Sequence, residues 1–477
     1  MAVKEGPLAA APAFFIFVSL CVSILLGVRT SAPASVIAAV SALFSAAAIF
    51  AGTEREVPGW RRMLALVVTL SFVLSFISAA RMREKISFPD SFEAYGKILL
   101  ARDWGKTRAY LIETPYGRAA AYSRENLREG AGVRLRAASF DFKRAEERGG
   151  FDEMLFWRGK GAVKKLELFE ISETAPPSGL AAWRNSLDAL FDARLLPLSA
   201  AYMSALTTGR RSAAIEEPHE RAGTIHLLSV SGFHVGVLAG LLFFLKRGGA
   251  ARTVTVSALL WLYVAFAGFP PGGVRAAAMA QICIAAESLG RPYSSFNNVS
   301  AAACLMLLYN PWSFFDVGWR LSVLAALFIT AGVRLVGRGF AGAAATSVLV
   351  WFVSAPVVAE VFSSVPVAGL TANLVAVPYF AVVFPLIFAL CLPPLLGLPL
   401  APLFAETSEL ILRFSQSALD ALASLTPAQV GYSTPLFVLA AAIFCSAAAL
   451  RCGAPLRRAP FIVLFSLAVL LYFRAVL

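Results

Sequence analysis

The hydrophobic positions of this chain gather into long runs instead of alternating with polar ones. Three runs come first, at residues 12–28, 33–52 and 63–80. After a gap they resume near residues 226–245, 253–269, 274–289, 295–309, 317–333, 343–361, 370–392, 436–450 and 460–473. A helix of roughly 20 apolar residues spans a hydrocarbon core about 30 Å thick. The pattern therefore predicts a polytopic α-helical membrane protein with about 10–12 membrane helices. The first run follows only Lys4 and Glu5 and has no convincing small-residue cleavage site behind it, so a retained helix is expected. Residues 400–425 carry Glu406, Glu409, Arg413 and Asp420 and suit an interfacial helix better than a span. For the spans to alternate, either that piece crosses or residues 370–392 are re-entrant, with Pro378, Pro385, Pro393 and Pro394 permitting a break.

Inside the gap the period changes. Val133, Arg134, Leu135 and Arg136 alternate apolar and basic positions, as one strand of a half-buried sheet does. Short strands are predicted at 92–101, 107–113, 118–123, 132–140 and 162–171, with Pro115-Tyr116-Gly117 as a turn. Five strands in a segment of this size predict a small soluble β-barrel, of which the oligonucleotide/oligosaccharide-binding (OB) barrel is the common form. Residues 81–175 are thus expected to be an OB-like domain inserted between N-terminal membrane helices, 1–80, and the rest. Pro176-Pro177 opens an amphipathic, interfacial stretch, 176–225, in which Trp183, Leu187, Leu190, Phe191 and Leu195 recur at helical spacing along residues 180–208. Residues 226–477 form the main helical membrane domain.

Composition agrees with this reading: 58% of the 477 residues are hydrophobic and 15% charged, more apolar than a soluble core of this size needs. The net charge of +13 is first a topology signal. Lys4, Arg61, Arg62, Lys246, Arg247, Arg252, Arg291, Arg334, Arg338, Arg451, Arg457 and Arg458 fall on one side if the runs alternate, and that side is cytoplasmic. The barrel is then expected on the periplasmic side of an inner membrane. The six cysteines lie in or beside apolar runs and read as small core residues.

All three histidines, His219, His226 and His234, fall within one short stretch. On a straight helix His226 and His234 would stand roughly 80° apart, and no carboxylate sits at ligand spacing. Helix packing, a polar pathway and a metal site remain three readings of that pair. Gly232, Gly236 and Gly240 recur every four residues and would let another helix approach closely, while Ser229 and Ser231 project from other faces. Arg275, Gln281, Glu287, Asp316, Arg320, Glu360 and Asn373 are further polar groups in or beside apolar runs, each costly in lipid unless paired or hydrated. Asp316 and Arg320 stand four apart, so a helical ion pair is expected between them. No hydrolytic or phosphate-loop motif occurs, so no catalytic residue, metal or cofactor is expected.

The run His226-Leu227-Leu228-Ser229-Val230-Ser231-Gly232-Phe233-His234-Val235-Gly236 resembles the H-L-L-x-V-S-G-x-H-V-G segment of the ComEC family of competence proteins. The resemblance continues in Leu206-Thr207-Thr208-Gly209, Val274-Arg275-Ala276-Ala277-Ala278-Met279, Asn310-Pro311, Asp316-Val317-Gly318-Trp319 and Asn373-Leu374-Val375-Ala376-Val377-Pro378, and in Gly149-Gly150-Phe151-Asp152 of the soluble domain. Two positions depart from the family pattern: Gly272 stands where a proline is common, and Arg320 where glutamine is frequent. The resemblance implies an inner-membrane channel for uptake of single-stranded DNA, without the C-terminal metallo-β-lactamase-like domain that many members carry. His226, Ser229, Ser231, His234, Arg275, Asp316, Arg320 and Asn373 would then line a polar pathway. A cytoplasmic motor or helicase, a DNA-receptor protein and a separate nuclease are the implied partners, besides DNA and membrane lipid.

In the soluble domain Arg102, Lys106, Arg108, Arg134 and Arg136 could meet phosphates, and Trp104, with Tyr110 and Tyr122, could meet bases. A solvated barrel face is the plainer reading of the same residues. The rival functions are a small-molecule transporter, which internal inverted repeats would favour, and a membrane-embedded metal-dependent hydrolase.

Overall fold

The computed structural model describes residues 11–52, 60–84, 87–143, 152–228, 249–290, 294–336, 339–362 and 364–431, with residues 440 and 443. Two compact units share the chain. One comprises Met1–Glu84, Arg275–Val365 and Gln429–Leu477; the other comprises Lys85–Val274 and Pro366–Ala428.

In the first unit, helices α1 (Pro12–Arg29), α2 (Ala34–Gly52) and α3 (Trp60–Met82) pack together. Their contacts are made by small and hydroxyl side chains: Ser19 Oγ lies 3.1 Å from Ser75 Oγ, Ser23 Oγ donates to the carbonyl of Ser75 (2.9 Å), and Ser45 Oγ donates to that of Phe15 (3.1 Å). Where every neighbour is apolar, such hydroxyl bonds and close packing hold helices that the hydrophobic effect cannot sort. Helix α10 (Ser295–Tyr309) joins this group through Phe14 and Phe296, whose rings lie 4.8 Å apart.

The second unit holds the barrel. Strands β1 (Ser91–Trp104), β2 (Thr107–Thr114), β3 (Gly117–Ser123), β4 (Gly132–Phe140) and β5 (Lys164–Ala175) close in the order β1-β2-β3-β5-β4, with β3 and β5 parallel. β1 closes the barrel because it serves two partners. Its first half, to Lys97, pairs with β4, and its second half, from Lys97, pairs with β2 across a bulge between Ile98 and Leu100. A bulge bends the strand and strengthens its twist, as closure requires. Gly96 sits at this bend, where a Cβ would stand 2.8 Å from the carbonyl oxygen of Glu113. Ile98, Tyr110, Ile112, Val133, Leu135 and Leu166 fill the interior. A short helix, α4 (Glu153–Gly159), stands between β4 and β5; its N-cap is Asp152, which accepts from Leu155 N (2.9 Å). No helix was expected there.

The barrel is joined to the helix that follows it. Ser178 N donates to the Gly130 carbonyl (3.1 Å) and Asn185 Nδ2 to that of Glu129 (3.0 Å). Arg184 of α5 (Leu180–Arg194) bridges the Glu129 carboxylate and the Phe266 carbonyl (3.1 Å) at the end of α8 (Gly249–Phe266). Burial pushes the Glu129 carboxyl above its ordinary range, and Arg184 opposes that push.

Residues 180–208, expected as one helix, are two. The chain extends at Leu195 and Leu196, and α6 (Pro197–Thr207) begins on Pro197. Proline suits a first helical position, where its missing N–H has no intrahelical partner to lose. α7 (Ala213–Arg221) follows, then a 3₁₀ turn at Ile225–Leu227.

Helix α13 (Ala368–Leu396) runs unbroken through Pro378, Pro385, Pro393 and Pro394, so the break that these prolines would permit is not made. α14 (Ala401–Leu425) packs along it. Helices α9 (Pro271–Ser288), α11 (Val317–Val336) and α12 (Phe340–Phe362) complete the long elements; strands β6 (Ser364–Pro366) and β7 (Gln429–Gly431) are short. Among the described residues, three helical stretches are long and apolar enough to cross a membrane: Arg61–Met82, Ala344–Val361 and Ala368–Leu396. Five more apolar helical stretches are shorter. The runs at 436–450 and 460–473 lie outside or almost wholly outside the described residues.

Candidate functional site

The approach to the histidine run is built from α6, α7 and the 3₁₀ turn. His219 is fully buried, with Nε2 3.0 Å from Tyr202 Oη and Nδ1 2.9 Å from Thr224 Oγ1. Both ring nitrogens are thus engaged, one as donor and the other as acceptor. Burial pushes the imidazole down to about 4, so it is neutral at pH 7. This histidine is a post on which the chain turns out of α7. Gly223 makes the turn with φ +69°, its backbone close against Gly369 at the start of α13. His226 follows on the 3₁₀ turn, exposed. Ser229, Ser231, Gly232, His234, Gly236 and Gly240 lie outside the described residues.

Asn373, one helical turn beyond Gly369 on α13, carries a buried Oδ1 without a hydrogen bond among the described residues. The other predicted pathway residues belong to the first unit. Asp316 is the N-cap of α11 and accepts from Trp319 N (2.9 Å). Arg320 makes its ion pair with Glu360 of α12 (3.1 Å), so the expected pair four residues apart gives way to a bridge between two helices. Arg275 Nη1 donates to the main-chain carbonyl of Ser322 in α11, while its Nε is buried without a hydrogen bond among the described residues.

On the barrel, several expected DNA contacts have local partners. Arg108 pairs with Asp103 (3.0 Å), Arg134 pairs with Glu93, and Arg136 stands between Glu93 and Glu170 in the ladders. The Glu93 carboxylate raises the Arg134 guanidinium above its ordinary range. Arg102 stands opposite Ala109, half-buried. Tyr110 is wholly buried, its hydroxyl donating to the Glu125 carbonyl and accepting from Leu127 N (3.2 Å). It is a core residue and cannot stack on a base. Trp104 packs on Tyr122 (6.1 Å) and on Phe156 of α4 (5.5 Å), and Trp157 Nε1 donates to Tyr122 Oη (2.7 Å). Around this aromatic cluster stand Lys106, exposed at the β1–β2 turn, Lys160, 5.8 Å above the Phe156 ring, and Lys165, 5.1 Å above that of Tyr122.

Sequence reasoning missed α4, although Asp152 before Glu153-Met154-Leu155-Phe156-Trp157 is an N-cap signal ahead of an apolar run. It also read Glu409 only as one of the charges that suit an interfacial helix. That carboxylate is 4% exposed and accepts from Leu198 N (3.3 Å), Ser199 N (3.0 Å) and Ser199 Oγ (3.1 Å) at the start of α6. No group of three or more His, Cys, Asp and Glu is arranged for a metal among the described residues.

The family model described as "Competence protein" matches residues 206–457. ComE operon protein 3 of Bacillus subtilis (strain 168) is 28% identical over 196 residues, 39% of this chain and 25% of the relative. The match thus spans a quarter of that protein's length. No solved structure matches significantly. With more than half of its residues inside the family model, this chain belongs to the competence protein family.

Proposed function

We propose that this chain is a multi-pass inner-membrane protein through which DNA enters the cell as a single strand during competence, using no nuclease or nucleotide-driven motor among its own residues. The observation that carries the reading is the family match over residues 206–457, which includes the whole run from His226 to Gly236. The three long apolar helices support membrane residence. The polar pathway of this proposal comprises His226, Ser229, Ser231, His234, Arg275 and Asn373; Asp316 and Arg320 contribute by holding α11, and Gly232, Gly236 and Gly240 by close packing. A partner supplies the pull.

The closed strand order supports reading the barrel as OB-like, on the periplasmic side. OB barrels use the β1–β2 and β4–β5 connections to bind strands. Here those connections meet where Trp104 packs on Phe156, with Lys106 and Lys160 around the pair, while Lys165 is paired with Glu153 (2.9 Å). This end is the proposed DNA-binding surface, in preference to the face that carries Arg134, paired with Glu93, and Arg136. Cysteines replacing Arg128 and Arg252 should label from opposite sides of the membrane; labelling from one side overturns the orientation.

The functional test is complementation of a competent host lacking its own family member, reading transformation frequency beside membrane immunoblots. His226→Ala and His234→Ala should depress transformation at near-normal abundance, because removing a polar group from an apolar setting does not impede insertion. Gly236→Leu should lower abundance itself. Normal transformation by both histidine variants would remove the pathway.

A further inference from the structure

From the contrast between two arginines in the first unit, we infer that Arg275 is a phosphodiester-binding step for the moving strand, an assignment that rests on the DNA-conducting function proposed above. Both arginines reach α11 or start from it. Arg320 has its charge met by Glu360 of α12 at 3.1 Å. Among the described residues Arg275 has only the carbonyl of Ser322, which offers a partial charge where a full one is needed. Its Nε, like that of Arg320, is buried and bonds to nothing among the described residues, but no carboxylate there forms an ion pair with Arg275.

An un-neutralised guanidinium among apolar helices is expensive, and such groups mark ion or substrate routes. The bond from Nη1 to Ser322 turns the side chain and fixes its plane. Nε and Nη2, the side-on fork of the guanidinium, then remain without a partner among the described residues. A fork of two parallel N–H donors fits two oxygens of one anionic group, and the phosphodiester is the group that recurs once per nucleotide. A single arginine with one ligand-facing edge also suits passage, since a conducting site must release what it binds.

The test crosses side chain with substrate. Wild type, Arg275→Gln and Arg275→Lys are produced in a competent host at matched membrane abundance. Each is offered fluorescent DNA of natural backbone, or the same DNA with a block of uncharged methylphosphonate linkages. Wild type should admit the natural strand faster. Arg275→Gln should lower uptake of the natural strand about tenfold and admit both strands alike. Arg275→Lys, keeping the charge, should retain the preference at a reduced rate. A glutamine variant that still prefers the natural strand as wild type does overturns the assignment and leaves DNA conduction standing. If the glutamine variant fails to insert, loss of the preference in Arg275→Lys overturns it equally. Failure of wild type to admit either strand overturns the conducting function and this assignment together.

Discussion

Glu409 holds Ser199 twice, accepting its main-chain N–H at 3.0 Å and its hydroxyl at 3.1 Å, and so seats an acid of α14 on the first turn of α6. The first N–H groups of a helix lack intrahelical partners and carry the positive end of its dipole. A buried carboxylate is stable only when such donors surround it. Ser408 Oγ, 2.9 Å from Ser199 Oγ, adds a second link between the two helices.

Glu409→Ala should therefore lower stability by about 2–4 kcal/mol, since it removes a charged acceptor and strands the buried N–H of Ser199 and the half-buried one of Leu198. Glu409→Gln, which keeps one acceptor oxygen, should cost roughly half as much. Thermal unfolding of the purified protein in detergent measures both. Equal midpoints for wild type and Glu409→Ala would show that this carboxylate contributes nothing.

His219 makes the fold sensitive to acid. The folded imidazole titrates near 4, below its ordinary 6.5, because burial disfavours its charged form. As the pH falls below 6.5 the unfolded chain takes up a proton that the folded chain refuses. The stability is thus complete above that pH and is lost progressively down to about 4, a total on the order of 3 kcal/mol. Unfolding midpoints at about pH 7.5 and about pH 5 should differ more for wild type than for His219→Gln. The same acid shift in both proteins would exclude His219 as its source.

Gly223→Ala should destabilise the turn into the histidine run by about 1–3 kcal/mol. Its φ of +69° is unfavourable for alanine, and the added Cβ would stand 2.9 Å from Gly369 Cα. Limited proteolysis in the turn should accelerate accordingly. An unchanged cleavage rate would mean that the two backbones separate at no cost.

At the barrel, Lys106→Ala with Lys160→Ala should weaken single-stranded DNA binding and reduce the slope of log affinity against log salt by about 0.7 for each phosphate no longer neutralised. Phe156→Ala should weaken binding with little change of slope, because stacking releases no counterions. Titration of a fluorescent oligonucleotide at several salt concentrations separates the two. A slope unchanged in the lysine variant would place phosphate binding elsewhere.

The five strands were legible because a barrel strand advertises itself locally: Val133, Leu135 and Ala137 point in while Arg134 and Arg136 point out. Tyr110 was misread for the same reason. Its place in β2 could be read from alternation, but its being wholly enclosed depends on closure of the barrel around it. The course of α13 stayed open in the sequence because its four prolines are strong local signals. The helix continues because packing along α14 and the other helices of its unit outweighs the main-chain bonds those prolines omit.

What the amino-acid sequence determined by itself is therefore what depends on near neighbours or on a contiguous motif: the apolar runs, the alternating strands, the His226–Gly236 run and the family it marks. Only the tertiary structure decided which groups answer the polar side chains. Glu409 meets a residue 210 positions away in sequence, Arg320 one 40 positions away, and Arg275 a main-chain carbonyl 47 positions away. Spacing along a helix names the partners within one turn, and an isolated chain offers no others. A charge buried between helices takes whichever donor or acceptor packing brings to it, because in an apolar interior the cost of remaining unpaired exceeds any preference for a neighbour in sequence.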